Sequence, residues 1–515
     1  MRRVPVVLAL AVLAVCPAGA QTAGFPKKAA AALARAAATI TAAEVRRRIN
    51  VIADDSMMGR NTPSPGLEMT AKYVAGQFER FGLKPGGEGG SWFQRYPIEL
   101  GRFDVAESHV DFLAGDRRIR AEFSRDALWR PGRIPDGDIG GEVFLVGGTL
   151  DPAALPLREI KGRIALLLVD YGKPRPPAVN AVQQALATNA AAVIVVTDRD
   201  STQFAGLAGA QGRPRMTVGG GSASGPAPVV EVPERAVTDL LRGLGVNLSR
   251  VRASTTMVAQ AVPDLKVTVT LRNTVLQSQS APNTIGILEG TDPTLRNEYL
   301  VFSAHMDHIG IRPGLPDSIA NGADDDGSGT TGVVELAEAF ARKGARPKRS
   351  VLFLTVSGEE KGLWGSRYFT EHPTVPIGAM VADLNLDMIG RNWRDTIVAI
   401  GKEHSDLGAT LERVNAGHPE LDMTAIDDRW PDERFYFRSD HYNFARKGIP
   451  ILFFFNGVHP DYHQVTDSPD KIDSEKESRI LKLLFYLGEE IANAPARPQW
   501  NPQSYREIVE GAAGR

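Results

Sequence analysis

Four short apolar blocks punctuate the second half of the chain. EYLVFSA (298–304), SVLFLTV (350–356), AMVADLNL (379–386) and GIPILFFFN (448–456) carry apolar residues on both alternations. Such runs, bounded by polar turns, predict strands buried on both faces. Between the first two lies GVVELAEAFARKG, in which Val333, Leu336, Ala337 and Phe340 fall on one face of an amphipathic helix. From about Leu265 onwards this alternation predicts an α/β fold: a mixed, mostly parallel central sheet flanked by helices.

The first half has a different texture. Thr41 is placed to cap a helix through TAAEVRRRIN. A second helix follows Pro65, with Leu67, Ala71, Val74, Phe78 and Phe81 on one face and Gly82 closing it. KPGGEGG (84–90) then reads as a loop. Between about 132 and 262, GGEVFLVGG, GRIALLLVD and AAVIVVTD predict short buried strands, with a helical run over 178–187 and a Gly/Ser/Pro loop over 218–228. This segment reads as a separate β-rich module with one or two helices. It shows no His, Asp or Glu cluster of ligand-like spacing.

The N-terminus, MRRVPVVLALAVLAVCPAGAQ, has a basic start, a short apolar run and a small-residue site ending at Ala20. This is the layout of a cleaved secretory signal peptide, so the protein is expected to be exported, periplasmic or extracellular. Val15 ahead of Cys16 argues against a lipoprotein anchor. Cys16 is the single cysteine, which leaves a mature chain with neither a disulfide framework nor a cysteine nucleophile. No later stretch is apolar enough to span a membrane. The chain has 515 residues, too many for one ordinary core. The expected division is a signal peptide (1–20), an N-terminal lead of the catalytic unit (21–131), an inserted module (132–262), the catalytic domain (263–495) and a C-terminal tail (496–515). A net charge of −2 without a long basic block gives no support for nucleic-acid binding. Oligomeric state is not legible.

The chemistry lies just after the apolar blocks. His305, Met306 and Asp307 follow the first, Gly358, Glu359 and Glu360 the second, and Asp387 the third; His463 stands a short loop beyond the fourth. In open α/β sheets ligands sit outside the carboxyl ends of the strands, so four strand ends deliver imidazoles and carboxylates to one place. GADDDGSG (322–329), ahead of a helix, adds an aspartate. Carboxylates gathered in one crevice repel unless cations neutralise them. Imidazole and carboxylate ligands without thiolate suit catalytic zinc. Two His and three carboxylates suffice for two metals if one carboxylate bridges, and paired metals serve hydrolases.

The motifs SAHMDHIG, NGADDDGSGTTG, SGEEKGLWGS, NLDMIG, SDHYNF and HPDYHQVTDSPDKI, in this order, resemble those of the co-catalytic di-zinc aminopeptidases, which include the secreted bacterial leucyl aminopeptidases. Glutamate carboxypeptidase II and the transferrin receptor ectodomain are more distant relatives. The lead ADDSMMGRNTPSPGLEMTAKYVAGQFERFGLKPGG is similar to that of secreted members. The resemblance implies two Zn²⁺ per chain. His305 and Asp387 would bind one, Glu360 and His463 the other. Asp325, three residues before Ser328 of the Ser328-Gly329 pair, would bridge them, which leaves Asp324 and Asp326 for turn-making and support. Glu359 would be the general base and Asp307 the carboxylate fixing the His305 ring. Tyr436 or Tyr462 would stabilise the oxyanion. Asp440 and His441 would support the site, and nothing suggests a serine triad around Ser439. His308 is taken as non-ligating, and His109, His372, His404, His418 and His459 lie outside the ligand motifs. The middle module resembles a protease-associated domain through IKGRIALLLVD, NAAAVIVVTD and PAPVVEVPERAVTDLL.

The expected function is therefore a secreted di-zinc exopeptidase, an aminopeptidase acting on peptides through a metal-bridging water and a glutamate base. The alternatives are a carboxypeptidase or dipeptidase of the same family, a receptor-like binder without catalysis, and a glutaminyl-cyclase-like acyltransferase.

Overall fold

The structure is a computed structural model that describes residues 27–129, 136–170, 177–219 and 227–511. The expected signal peptide and most of the 218–228 loop lie outside these residues. No helix among the described residues is long and apolar enough to cross a membrane.

All four apolar blocks form strands: Tyr299–His305, Ser350–Val356, Met380–Leu386 and Ile451–Phe454, every residue but Tyr299 buried. They pair in parallel in the spatial order Ile451–Phe454, Met380–Leu386, Tyr299–His305, Ser350–Val356. In chain order that is four, three, one, two. The winding direction thus reverses between the strands ending at His305 and Leu386. A reversal opens a crevice at the carboxyl edge, because the two connecting segments leave on opposite faces of the sheet. Antiparallel strands Asn273–Leu288 and Thr396–Ile400 flank the parallel core, so the first sheet is mixed.

Thr41 caps the helix Ala42–Ile52 by accepting from Glu44 N–H, and Ser64 caps Pro65–Arg80 by accepting from Leu67 N–H. Leu67, Ala71, Val74 and Phe78 of the latter are fully buried. The helix Gly327–Phe340 departs from the amphipathic expectation, since every residue except Glu338 is buried. Its outer face is covered by the N-terminal helices. There Arg48, itself fully buried, pairs with Glu335 at 3.1 Å and with Glu338. A polar stripe that looks solvent-facing in the sequence is an internal charge cluster.

A second sheet runs Arg117–Glu122, His109–Ala114, Met257–Leu271, Gly137–Gly148, Ile164–Val169, Ala192–Thr197, Val229–Pro233 and Leu128–Trp129. It starts earlier and ends later than the 132–262 stretch. His109–Ala114 and Arg117–Glu122 alternate too weakly in hydropathy to announce themselves, yet they pair with each other, and His109–Ala114 also pairs with Leu265–Thr270. The module also holds more helix than expected, at Pro177–Asn189, Ser201–Ala208 and Glu234–Gly243. Its inner four strands are parallel. The strand Arg215–Val218 leaves it to pair with Ile98–Gly101 at the edge of the first sheet. Residues 496–511 are no loose tail: Trp500 donates from Nε1 to Gly448 O at 2.9 Å, and Ile508 is buried.

Replacing Arg48 by Ala leaves two buried or half-buried carboxylates without their cation. The expected loss is about 3 kcal/mol or more of folding stability, read by urea denaturation; an unchanged midpoint would show that the cluster carries no net charge cost.

Candidate metal centre and cleft

Each strand end is followed by a tight change of direction that releases a polar side chain into the crevice. His305 is the last residue of its strand and is 1% exposed. Its Nε2 lies 3.4 Å from Asp325 Oδ1 and 3.6 Å from Asp387 Oδ1. On the other side of Asp325, His463 Nε2 is 3.1 Å from Asp325 Oδ2 and 3.1 Å from Glu360 Oε2. His308 Nδ1 is 2.8 Å from Glu360 Oε1 and 3.7 Å from Asp325 Oδ2. Among the described residues, two groups of donor atoms converge closely enough to hold a cation: His305 with Asp325 and Asp387, and His308 with Asp325 and Glu360. Asp325 belongs to both.

The donor set fits a divalent cation. Asp325 Oδ2, Glu360 Oε1 and both nitrogens of His308 are buried without a hydrogen-bond partner, and such atoms cost free energy unless something fills their valence. The charges respond to one another. Burial would lower the His463 imidazole, but Asp325 and Glu360 push it up to about 10; His305 is likewise raised well above its ordinary value, against burial, chiefly by Asp387. Burial and Asp325 push Glu360 up, yet His308 and His463 hold it at about 2. Glu359 lines the same cleft. Burial drives its carboxyl well above the usual range, opposed by His305 and reinforced by Asp440, Asp387 and Glu360.

The three adjacent aspartates do three different things. Asp326 caps the helix, accepting from Gly329 N–H at 2.8 Å and Met388 N–H at 3.2 Å, while its second oxygen accepts from His305 N–H at 3.1 Å. Asp324 accepts from Gly390 N–H at 2.7 Å and lies 3.1 Å from His459 Nε2. Of the three, Asp325 alone faces His305, His308 and His463. Asp467 receives the backbone N–H groups of Asp324 and Asp325 and so fixes the turn. Two backbone-directed aspartates thus hold the middle one in place.

The remaining expected residues divide. Asp307 Oδ1 accepts from Glu359 N–H at 3.2 Å; the His305 Nδ1 is nearer the Asp307 backbone carbonyl, at 3.2 Å, than its carboxylate, at 3.7 Å. Ser439 donates to Asp387 Oδ2 at 2.8 Å. His441, pushed down to about 3 by burial, bonds Tyr436 O, so Ser439 and His441 make no nucleophile–base pair. Burial, chiefly, drives the Asp440 carboxyl up to about 7. Tyr462 stacks on His463 with ring centroids 3.9 Å apart and lines the cleft. Tyr436 does not reach it: the ring packs edge-on against His404 at 4.5 Å, near Gly401.

Two residues of the lead segment were not foreseen. Arg60 is fully buried and donates to the carbonyls of Met306 (2.9 Å), Ile52 (3.0 Å), Asn321 and Gly322 (2.8 Å). One guanidinium therefore ties the His305–Asp307 loop to the loop that carries Asp325. Burial lowers its pKa, and Asp325, Asp307, Asp326 and Asp467 oppose that. Thr62 donates to Asp307 Oδ2 at 2.9 Å and accepts from Gly358 N–H at 3.0 Å. Their only signal is position within MMGRNTP, and all their partners named above except Ile52 lie hundreds of residues away. Thr62→Val leaves a buried carboxylate oxygen and a buried N–H unpaired. The expected cost is about 2–3 kcal/mol, with a displaced Gly358–Glu359 turn in the variant's crystal structure; a superimposable turn would refute the role.

The sequence profile of Peptidase family M28 matches residues 283–488, the segment that carries the parallel strands and the converging side chains. A probable leucine aminopeptidase of Arthroderma otae is 29% identical over 210 residues, 39% of this chain and 56% of that protein. Aminopeptidase YwaD of Bacillus subtilis is 27% identical over 242 residues, 45% of this chain and 49% of that protein. The chain thus spans about half the length of the curated relatives it matches. Among solved structures, the aminopeptidase from Aneurinibacillus sp. strain AM-1 aligns over 91% of this chain and 98% of its own at 20% identity, with a TM-score of 0.46. Residues 283–488 therefore match the profile of Peptidase family M28 in the segment where the ordered motifs lie.

Proposed function

We propose that the protein is an exported zinc exopeptidase that removes N-terminal residues from peptides, with two Zn²⁺ per chain. The observation that carries this reading is the pair of imidazole–carboxylate groups sharing Asp325, with Glu359 beside them in one cleft. His305 and Asp387 would hold one ion and Glu360 and His463 the other, with Asp325 between. When bound, the ions supply positive charge that neutralises the carboxylates and acidifies water.

The chain's own residues do the rest. Glu359 takes a proton from the attacking water and returns it to the leaving amine. Its backbone N–H, held by Asp307, keeps the turn from swinging the carboxylate away. Tyr462, fixed by stacking on His463, is the cleft tyrosine available to donate to the oxyanion. Phe435, Phe453, Phe455, Met388 and Val458 line the cleft. They exclude water and favour an apolar side chain at the cleaved terminus. The names of the relatives, leucine aminopeptidase among them, agree with that preference. The second sheet, taken as a protease-associated module, would border the substrate's approach.

Three outcomes test the proposal. Chelation should abolish peptide hydrolysis, and Zn²⁺ should restore it. Glu359→Gln should lower turnover by about 10²–10⁴-fold while metal analysis still finds two zinc ions; near-normal turnover would remove Glu359 from the role. A mixed peptide library read by mass spectrometry should shorten from the N-terminus at apolar residues. Shortening from the other end would favour a carboxypeptidase, and ammonia released from N-terminal Gln a cyclase.

Zinc uptake should also depend on pH. His463, raised to about 10, keeps its proton through neutral pH in the metal-free protein. Zinc must displace it, so affinity rises with pH up to that region and loading at pH 7 releases acid. Indicator dye in weakly buffered solution should register the release; loading without acid would contradict the charge state assigned to His463.

A further inference from the structure

We infer that His308 is a ligand of the Glu360 cation, in addition to His463; this rests on the two-metal reading above. The sequence alone gives His308 no role, since it follows Asp307 and stands outside the ligand pattern. Its surroundings do. The ring is fully buried. Nδ1 lies 2.8 Å from Glu360 Oε1 and 3.7 Å from Asp325 Oδ2, the two carboxylates that His463 also meets. Neither ring nitrogen has a hydrogen-bond partner, because the close approach to Glu360 lacks hydrogen-bond alignment. The Glu360 and Asp325 oxygens facing it are equally unpartnered.

The ring is also seated rather than merely enclosed. Gly322, at φ +56°, lies against it, and a Cβ there would come within 2.5 Å of His308 Cγ and Cδ2. The His308 N–H donates to Arg60 O at 3.3 Å, which pins the backbone beneath. The rings of His308 and His463 stand edge to face with centroids 5.8 Å apart, on two sides of the same pair of carboxylates. The donors His308 Nδ1, Asp325 and Glu360 converge as one group, and a fourth, His463 Nε2, meets the same two carboxylates at 3.1 Å each. Around His305 there are three, with Asp387 and Asp325. The two sites are therefore unequal, the Glu360 side offering two imidazoles and two carboxylates, all of them ligand types that suit zinc.

The bland alternative is that His308 only hydrogen-bonds Glu360 and orients it. His308→Asn separates the two, because its amide keeps an N–H near the Nδ1 position but is a poor zinc ligand. The full chain is stripped of metal, titrated with Zn²⁺ against a chelating indicator and counted by elemental analysis, beside His463→Ala. Wild type should take two ions. His308→Asn should hold one with unchanged affinity and the other about 100-fold or more weakly, at least the top of the range for losing a supporting group. Equal affinity for both ions in His308→Asn overturns the inference and leaves the two-metal reading standing. Fewer than two ions in wild type overturns both. If His308→Asn does not fold by circular dichroism, His308→Gln is read in the same way.

Discussion

Mutual repulsion among buried carboxylates is the constraint on which the rest of this structure depends. Asp307, Asp324, Asp325, Asp326, Asp387 and Asp467 crowd the carboxyl ends of four parallel strands, with Glu359 and Glu360 alongside, nearly all of them out of water. In a medium of low polarizability such a set drives itself apart or takes up protons. Here each member is answered separately. Backbone N–H groups quiet Asp324, Asp326 and Asp467, a hydroxyl holds Asp307, and another holds Asp387. The guanidinium of Arg60 offsets several at once. Asp325 and Glu360 are left facing imidazoles, with oxygen atoms unspent. Specific binding capacity is what remains after the other charges have been settled.

This division explains why the sheet matters. The winding reverses between the strands ending at His305 and Leu386, so the crevice opens between two side chains delivered by neighbouring strands in fixed register. Strand ends are stiff, and a group mounted on one is positioned to within a small fraction of its own length. The more adjustable groups, His463 and Tyr462, come from a longer loop and brace each other by stacking.

Much of this was legible in the chain. The buried strands are solid apolar blocks, and the polar residues directly after them mark the site because nothing else in those turns needs imidazole or carboxylate. The helix cap at Thr41 was local and readable. What escaped was what depends on distant partners. Arg60 and Thr62 look like ordinary loop residues until the chain folds back by some 250–300 positions. The Glu335 and Glu338 face of Gly327–Phe340 looks wet because the helix that covers it begins far upstream. His459, the first residue of HPDYHQVTDSPDKI, was given no role, yet it meets Asp324 at 3.1 Å. The two tyrosines were equivalent in sequence, and only packing separates them. The second sheet's first strands, polar and weakly patterned, gain their identity from pairing: Arg117–Glu122 on His109–Ala114, and His109–Ala114 on Met257–Leu271.

The reach of Arg60 into a centre assembled around residues 305–467 also bears on how the molecule comes to exist. Synthesis proceeds from the N-terminus, so this arginine emerges long before the carbonyls of Met306, Asn321 and Gly322 that it will bind. Until the later strands arrive, the lead helices have neither their sheet nor their central helix to cover. Closing so long a loop is among the slowest and entropically costliest acts of folding. The centre is therefore completed late, and an unfinished chain carries the spanning cation before the loops it will join. A partly made molecule is thereby kept from holding a finished reactive cleft.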